Sequence, residues 1–214
     1  MRNKKEILEI MNIFNSENPN PICELNFHNA YTLLVAVVLS AQATDKGVNK
    51  ATTELFKIAD TPEKMLSLGE EGLKKYIKSI GLFNSKAQNI IKMSKTLVEK
   101  HKSEVPSTRE ELENLAGVGR KTANVVLNVW FSKPTLAVDT HVMRVSNRLN
   151  FSTSTTPLGV EKDLLRVLPK EYIKKTNHWL VLFGRYVCKA QNPKCDECFI
   201  NKYCHSKDKK SKNY

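Results

Sequence analysis

The sequence predicts an all-α protein, on three observations. Apolar residues recur at spacings of three and four through most of the chain, as in Ile7, Ile10, Met11 and Phe14, which is the period of one helix face. Strict apolar–polar alternation, the mark of a half-buried strand, is scarce. Start and stop signals fall at helix-length intervals. Thr61-Pro62 and Thr156-Pro157 each place a capping residue ahead of a proline, and Gly81 and Pro169 end segments downstream.

The first helix carries the stripe from Ile7 to Phe14. The second covers Asn29 to Leu39 and is apolar nearly all round, which suits a helix buried at the centre of a domain. Leu73, Tyr76, Ile77 and Ile80 belong to a helix that Gly81 stops. From Ser85 to Lys100 another helix turns Ile90, Ile91, Leu97 and Val98 inward. Ser107 and Glu110 form a capping-box signature ahead of Leu112 and Leu115. Tyr172 to Cys188 is the last long helix. Phe131-Ser132-Lys133-Pro134 must end a helix, because the residue before proline avoids the helical region, and it is the candidate domain boundary. The closing residues, with Lys207, Lys209, Lys210 and Lys212, read as a frayed basic tail.

With 214 residues, 41% of them hydrophobic, the chain can bury a core as one large domain or two small ones. Lys and Arg total 34 against 22 Asp and Glu, and the net charge of +12 asks for a polyanionic partner. Nucleic acid is the first candidate and an anionic membrane surface the second, although lysine-rich usage also follows from genome composition. The longest apolar run, Leu33 to Leu39, is far short of the roughly 20 residues that span a bilayer. Met1 to Glu6 lack the apolar stretch and small-residue site of a secretory signal. A cytoplasmic, reducing location is therefore expected, where disulfides are disfavoured and the cysteines need another role.

Cys188, Cys195, Cys198 and Cys204 are spaced C-x6-C-x2-C-x5-C, close enough for a single metal centre. Thiolates select zinc or iron–sulfur centres over hard cations, and four of them complete either a tetrahedral zinc or a [4Fe–4S] cluster. Zinc ribbons usually carry two C-x2-C pairs and this chain has one, so the spacing leans to iron–sulfur without deciding. Cys23 stands apart and reads as a small core residue. Lys189, Gln191 and Lys194 lie between the first two ligands, in a loop that either grips phosphates or is simply solvated.

The stretch from Glu111 to Asn124 is the most informative. A helix leads into Gly117-Val118-Gly119, and a second helix begins near Arg120. The glycines permit a tight turn with uncovered N–H groups, and the helix start adds free donors and the positive end of a dipole. Together these make a phosphate seat indifferent to base identity, although a plain helix connection has the same pattern. Lys121 falls in the first turn of the second helix. The dipole there, and burial if it occurs, would favour the neutral amine that nucleophilic and Schiff-base chemistry needs. The plainer roles are a phosphate contact or a solvated charge. Asp139 is delivered by the apolar Thr135–Val138 segment to the start of a further helix, where it is either an N-cap or a carboxylate able to stabilise cationic sugar character. His141 follows two residues later.

Leu115 to Ala123 resembles the helix–hairpin–helix of the DNA glycosylase superfamily that bears this name. Val138-Asp139-Thr140-His141 resembles the loop and aspartate that follow it, and the cysteine spacing is similar to that superfamily's iron–sulfur site. Leu39 to Asp45 and Ile80 to Ala87 resemble its endonuclease III family, so the likeness runs in order along nearly the whole chain. The chain departs from the pattern at Ala116, where many members have Pro, and at Phe183, where some have His.

The resemblance implies two helical domains flanking a DNA-binding cleft: a six-helix barrel module with the hairpin over 22–132, and a cluster domain joining 1–21 to 133–214. It implies a [4Fe–4S] cluster on the four cysteines, Lys121 and Asp139 as catalytic residues, and phosphate contacts at Gly117 and Gly119. Gln42 and Leu82 would enter the duplex and fill the gap left by a flipped nucleotide. Asp45 and His141 would lie near the pocket, unless Asp45 is only a helix N-cap. The activity implied is removal of oxidised pyrimidines from double-stranded DNA, followed by strand cleavage 3′ to the abasic site through a lysine Schiff base. The enzyme would be a monomer on nucleoid DNA, with no membrane partner.

Overall fold

A computed structural model describes residues 1–210. Among the described residues there are ten α-helices, two short 3-10 turns and no strand, so the periodicity reads correctly as all-α. The chain divides into two compact units, a central one of Cys23–Lys133 and a terminal one that joins Met1–Ile22 to the chain from Pro134 on. Helix α1 (Lys4–Glu17) belongs to the terminal unit. Helices α2 (Ala30–Ser40), α3 (Asp45–Ile58), α4 (Pro62–Ile77), α5 (Phe83–His101), α6 (Arg109–Glu113) and α7 (Arg120–Val129) make the central unit. The terminal unit is completed by α8 (Thr140–Arg148), α9 (Pro157–Val167) and α10 (Ile173–Tyr186). No helix is long and apolar enough to cross a membrane.

In the central unit α2 is the axis. Every residue from Tyr31 to Leu39 is buried, as a helix with no polar face requires. Its start is set by a reciprocal cap: Thr32 N–H donates to Asn29 Oδ1 at 2.7 Å, and Asn29 N–H donates to Thr32 Oγ1 at 3.1 Å. Helices α3, α5 and α7 pack around it. Three boundaries depart from expectation. Helix α4 ends at Ile77, short of Gly81, and is kinked at Gly69, whose φ of 70° only glycine adopts without strain. Helix α5 begins before Ser85, on Leu82 in left-handed conformation. The cap of α6 is Thr108, whose Oγ1 accepts from Glu111 N–H at 3.3 Å, rather than Ser107 with Glu110. Both pairs fit the capping-box spacing, and one residue of register separates them.

In the terminal unit α1 brings Ile7, Ile10, Met11 and Phe14 into the core. The Phe14 ring lies 6.0 Å from Trp179, 5.2 Å from Phe183 and 5.2 Å from Phe199, which ties α1 to α10 and to the cysteine segment. Trp179 Nε1 donates to Asn18 O at 2.8 Å, Arg2 Nε to Leu149 O at 2.9 Å, and Tyr203 Oη to Glu9 at 3.1 Å. The tail expected to fray makes contacts as far as Lys210. Asp208 pairs with Arg148 at 3.1 Å, Lys209 Nζ donates to Asn201 O at 3.1 Å, and Lys210 N–H reaches Cys195 Sγ at 3.3 Å. Lys212 lies outside the described residues.

Candidate functional site

The hairpin is built by backbone geometry. Val118 N–H donates to Leu115 O at 3.1 Å, turning the chain through Gly117 at φ 78°. A Cβ on Gly117 would stand 2.9 Å from Asn89 Cβ, so this position excludes a side chain on two grounds. Gly119 is the N-cap of α7 with φ −98°, and nothing lies within 4 Å of where its Cβ would be. No side chain caps α7, which leaves its first N–H groups open beside exposed Gly117 and Gly119. Lys121 is the second residue of α7 and is exposed, so the burial considered for it is not found and the helix terminus remains.

A second group forms where α2 and α5 meet. Gln42 and Leu82 are both exposed and both left-handed, at φ 56° and 59°. Such backbone is uncommon for residues with side chains and concentrates at functional positions. The two turns are neighbours: a Cβ on Gly81 would lie 4.0 Å from Gln42 O. Beneath them is Lys86, 5% exposed, donating through Nζ to Leu39 O at 2.9 Å and Ala41 O at 2.6 Å. Burial pushes its basicity below the ordinary lysine value. Asp45 is the first residue of α3 and not its cap, because Thr44 Oγ1 takes that place by accepting from Gly47 N–H at 3.1 Å.

In the terminal unit Asp139 caps α8, its Oδ1 accepting from Val142 N–H at 2.8 Å. Its other oxygen accepts no hydrogen bond from the described residues, and the side chain is half-buried. One carboxylate therefore serves as the cap and keeps an oxygen to offer. His141 Nδ1 lies 3.2 Å from Arg144 Nη2, which also donates to Gly184 O at 2.8 Å. Gly184 admits this packing, since a Cβ there would come 2.9 Å from His141 Cβ.

Cys188, Cys195, Cys198 and Cys204 line one pocket, walled by Leu149, Phe183 and Ile200. None is in a disulfide. Four soft thiolate donors lining one pocket suit an iron–sulfur centre. Burial, with neighbouring sulfurs adding to it, pushes the Cys198 thiol up to about 11, so taking up a metal centre must displace protons. The arginines of α8 hold the same loop: Arg144 Nε donates to Cys188 O at 3.2 Å, and Arg148 donates to Cys188 Sγ at 3.4 Å and Lys189 O at 2.7 Å.

The central unit thus forms the hairpin group and the Gln42–Leu82 group, and the terminal unit forms the Asp139–His141 pair and the set of four cysteines. Lys121 and Asp139 belong to different units. Sequence reasoning missed Lys86, Arg144 and Arg148. Lys86 left a trace, since it stands four residues before Ile90 on the inward stripe of α5. The arginines left none, because their acceptors, mostly backbone carbonyls, are remote in sequence.

Residues 35–170 match the HhH-GPD family, described as HhH-GPD superfamily base excision DNA repair protein, and residues 188–204 match the iron-sulfur binding domain of endonuclease III. Endonuclease III of Haemophilus influenzae is 56% identical over 207 residues, covering 97% of this chain and 98% of that protein. Endonuclease III of Escherichia coli K12 is 54% identical over the same length and covers the same shares. A trapped endonuclease III–DNA covalent intermediate superposes with a TM-score of 0.90 at 46% identity, covering 96% of this chain and 97% of that one. A thermostable thymine-DNA glycosylase shares the fold with a TM-score of 0.79 at 23% identity, covering 94% of each chain. The cofactor is a [4Fe–4S] cluster, in keeping with the donor set and cavity. With a family match over most of its core and more than half its residues identical to such relatives along nearly their whole length, the chain belongs to the HhH-GPD superfamily of base excision DNA repair proteins, in the endonuclease III family, and is a DNA glycosylase.

Proposed function

We propose that this glycosylase is bifunctional: it removes oxidised pyrimidines from duplex DNA and then cleaves the strand 3′ to the abasic site. The observation that carries this reading is Lys121, a primary amine at the start of α7 directly after a two-glycine turn with open N–H groups. Phosphates seat on the N–H groups at Gly117 and Gly119, at the positive end of the helix. Lys121 Nζ attacks the sugar C1′, and the base departs with the glycosidic electron pair and takes up a proton. The unbonded oxygen of Asp139 stabilises positive charge at C1′ while its partner oxygen keeps capping α8. The sugar ring opens to a Schiff base, which acidifies the C2′ protons. Loss of one of them expels the 3′ phosphate by β-elimination, and water then releases the imine.

Gln42 and Leu82 enter the duplex and occupy the gap left by the flipped nucleotide, with Asp45 and His141 near the pocket. Unstacking costs a few kcal/mol, which inserted side chains offset in part. The central unit serves as the hairpin module and the terminal unit as the cluster domain. Cys188, Cys195, Cys198 and Cys204 hold the cluster, which pins the loop carrying Lys189 and Lys194 at both ends. The protein works as a monomer on DNA inside the cell.

Borohydride reduction during turnover tests the chemistry. A covalent protein–DNA adduct is expected, and Lys121→Ala should lower its yield by at least about a hundredfold. Base loss without any adduct would indicate a monofunctional glycosylase, and full trapping by Lys121→Ala would move the nucleophile to another residue.

A further inference from the structure

The lysine buried beneath the Gln42 and Leu82 turns has no place in the chemistry above. Its surroundings are unusual. Lys86 has two carbonyl partners and no carboxylate partner among the described residues. Both carbonyls sit at the C-terminal end of α2, which has no basic residue in its own last turn. The ammonium therefore answers the negative end of the α2 dipole from another helix. Burying a charge is costly, and an apolar side chain of similar length would fill the site more cheaply. What the charge adds is geometry. Ala41, whose carbonyl it holds, immediately precedes Gln42. Lys86 stands on α5 one turn after Leu82, where its N–H makes the backbone bond to Leu82 O that any residue there would make, at 3.0 Å. Its side chain therefore ties the end of α2, just before Gln42, to the helix that starts at Leu82, and both turns are exposed and left-handed.

We propose that Lys86 is a positioning residue that locks the Gln42 and Leu82 turns together as one two-pronged wedge, so that both side chains enter DNA in register. This rests on the reading of Gln42 and Leu82 as inserted side chains. A wedge matters most when the target base is paired and stacked, and least when the opposite strand offers nothing to open. The diagnostic quantity is the ratio of single-turnover base removal from two duplexes. Each carries one 5,6-dihydrothymine, opposite adenine in the first and opposite an abasic analogue in the second. Because both rates come from the same preparation, the ratio is insensitive to the fraction of folded enzyme.

Leu82→Ala should lower the ratio about tenfold or more, and Lys86→Met should lower it to a similar extent, as expected when reacting groups are misplaced. The double variant should fall no more than about threefold below either single one, because both changes disable the same device. Lys86→Gln, which keeps a donor for one carbonyl, should be intermediate, and it carries the same test if Lys86→Met does not fold. A normal ratio in the Lys86 variants beside a reduced one in Leu82→Ala would overturn the role of Lys86 alone. A normal ratio in Leu82→Ala would overturn the insertion reading, and this proposal with it.

Discussion

Single residues in this protein carry two duties, and the aspartate at the start of α8 is the sharpest case. One oxygen of Asp139 caps the helix and the other is unclaimed by the described residues. Asn is as good a cap as Asp, whereas Ala loses the cap at a cost of about 0.5–2 kcal/mol. Asp139→Asn should therefore keep its thermal stability near that of the parent protein while base removal falls by roughly 10²–10³-fold. Asp139→Ala should lose both. Calorimetry beside single-turnover kinetics checks the split, and full activity in Asp139→Asn would reduce Asp139 to a cap. Lys121 leaves no such internal handle, because it is exposed and its role depends on what it meets in DNA.

At the scale of elements, the hairpin separates two uses of glycine. Gly117 is needed for folding, since a methyl there faces both a left-handed backbone and the Asn89 side chain. Gly117→Ala should cost about 1–2 kcal/mol of stability from the backbone alone. Gly119 has an ordinary φ and empty surroundings, so Gly119→Ala should lower stability only through the weaker N-cap that Ala makes, less than Gly117→Ala does. The methyl would also cover the open N–H groups and weaken binding to undamaged DNA. Thermal unfolding and a binding titration on both variants test this, and equal destabilisation by the two would contradict it. The pattern Gly117-Val118-Gly119 is legible in the sequence, but which glycine serves the fold is not. That depends on Asn89, on a helix remote in sequence.

For the whole molecule, the net charge of +12 makes binding electrostatic in its first approach to DNA. If about four to six phosphates are neutralised, the logarithm of affinity for undamaged duplex should fall against the logarithm of salt with a slope of roughly −4 to −5. Filter binding or anisotropy between low and physiological salt measures it, and a flat response would exclude a phosphate-gripping surface. The charge is not free to act everywhere. Arg144, Arg148 and Lys86 spend their cations on backbone carbonyls inside the protein. Counting basic residues therefore overstates the surface available to DNA.

The sequence by itself determined the fold class and a four-cysteine metal centre, and its resemblance to a known family carried the family and the cofactor. Helical period, caps and ligand spacing are local properties that any stretch of chain displays wherever it ends up. Even the boundaries it missed, at Leu82 and Thr108, moved by one or a few residues. Only the tertiary structure decided what depends on distant partners. It put an ammonium under the α2 terminus, brought the Gly81 turn near Gln42 O, seated the tail on the cysteine segment and left Asp139 one oxygen to spare. The reason is physical: a backbone carbonyl has no side-chain identity, so no residue pattern announces which cation will find it.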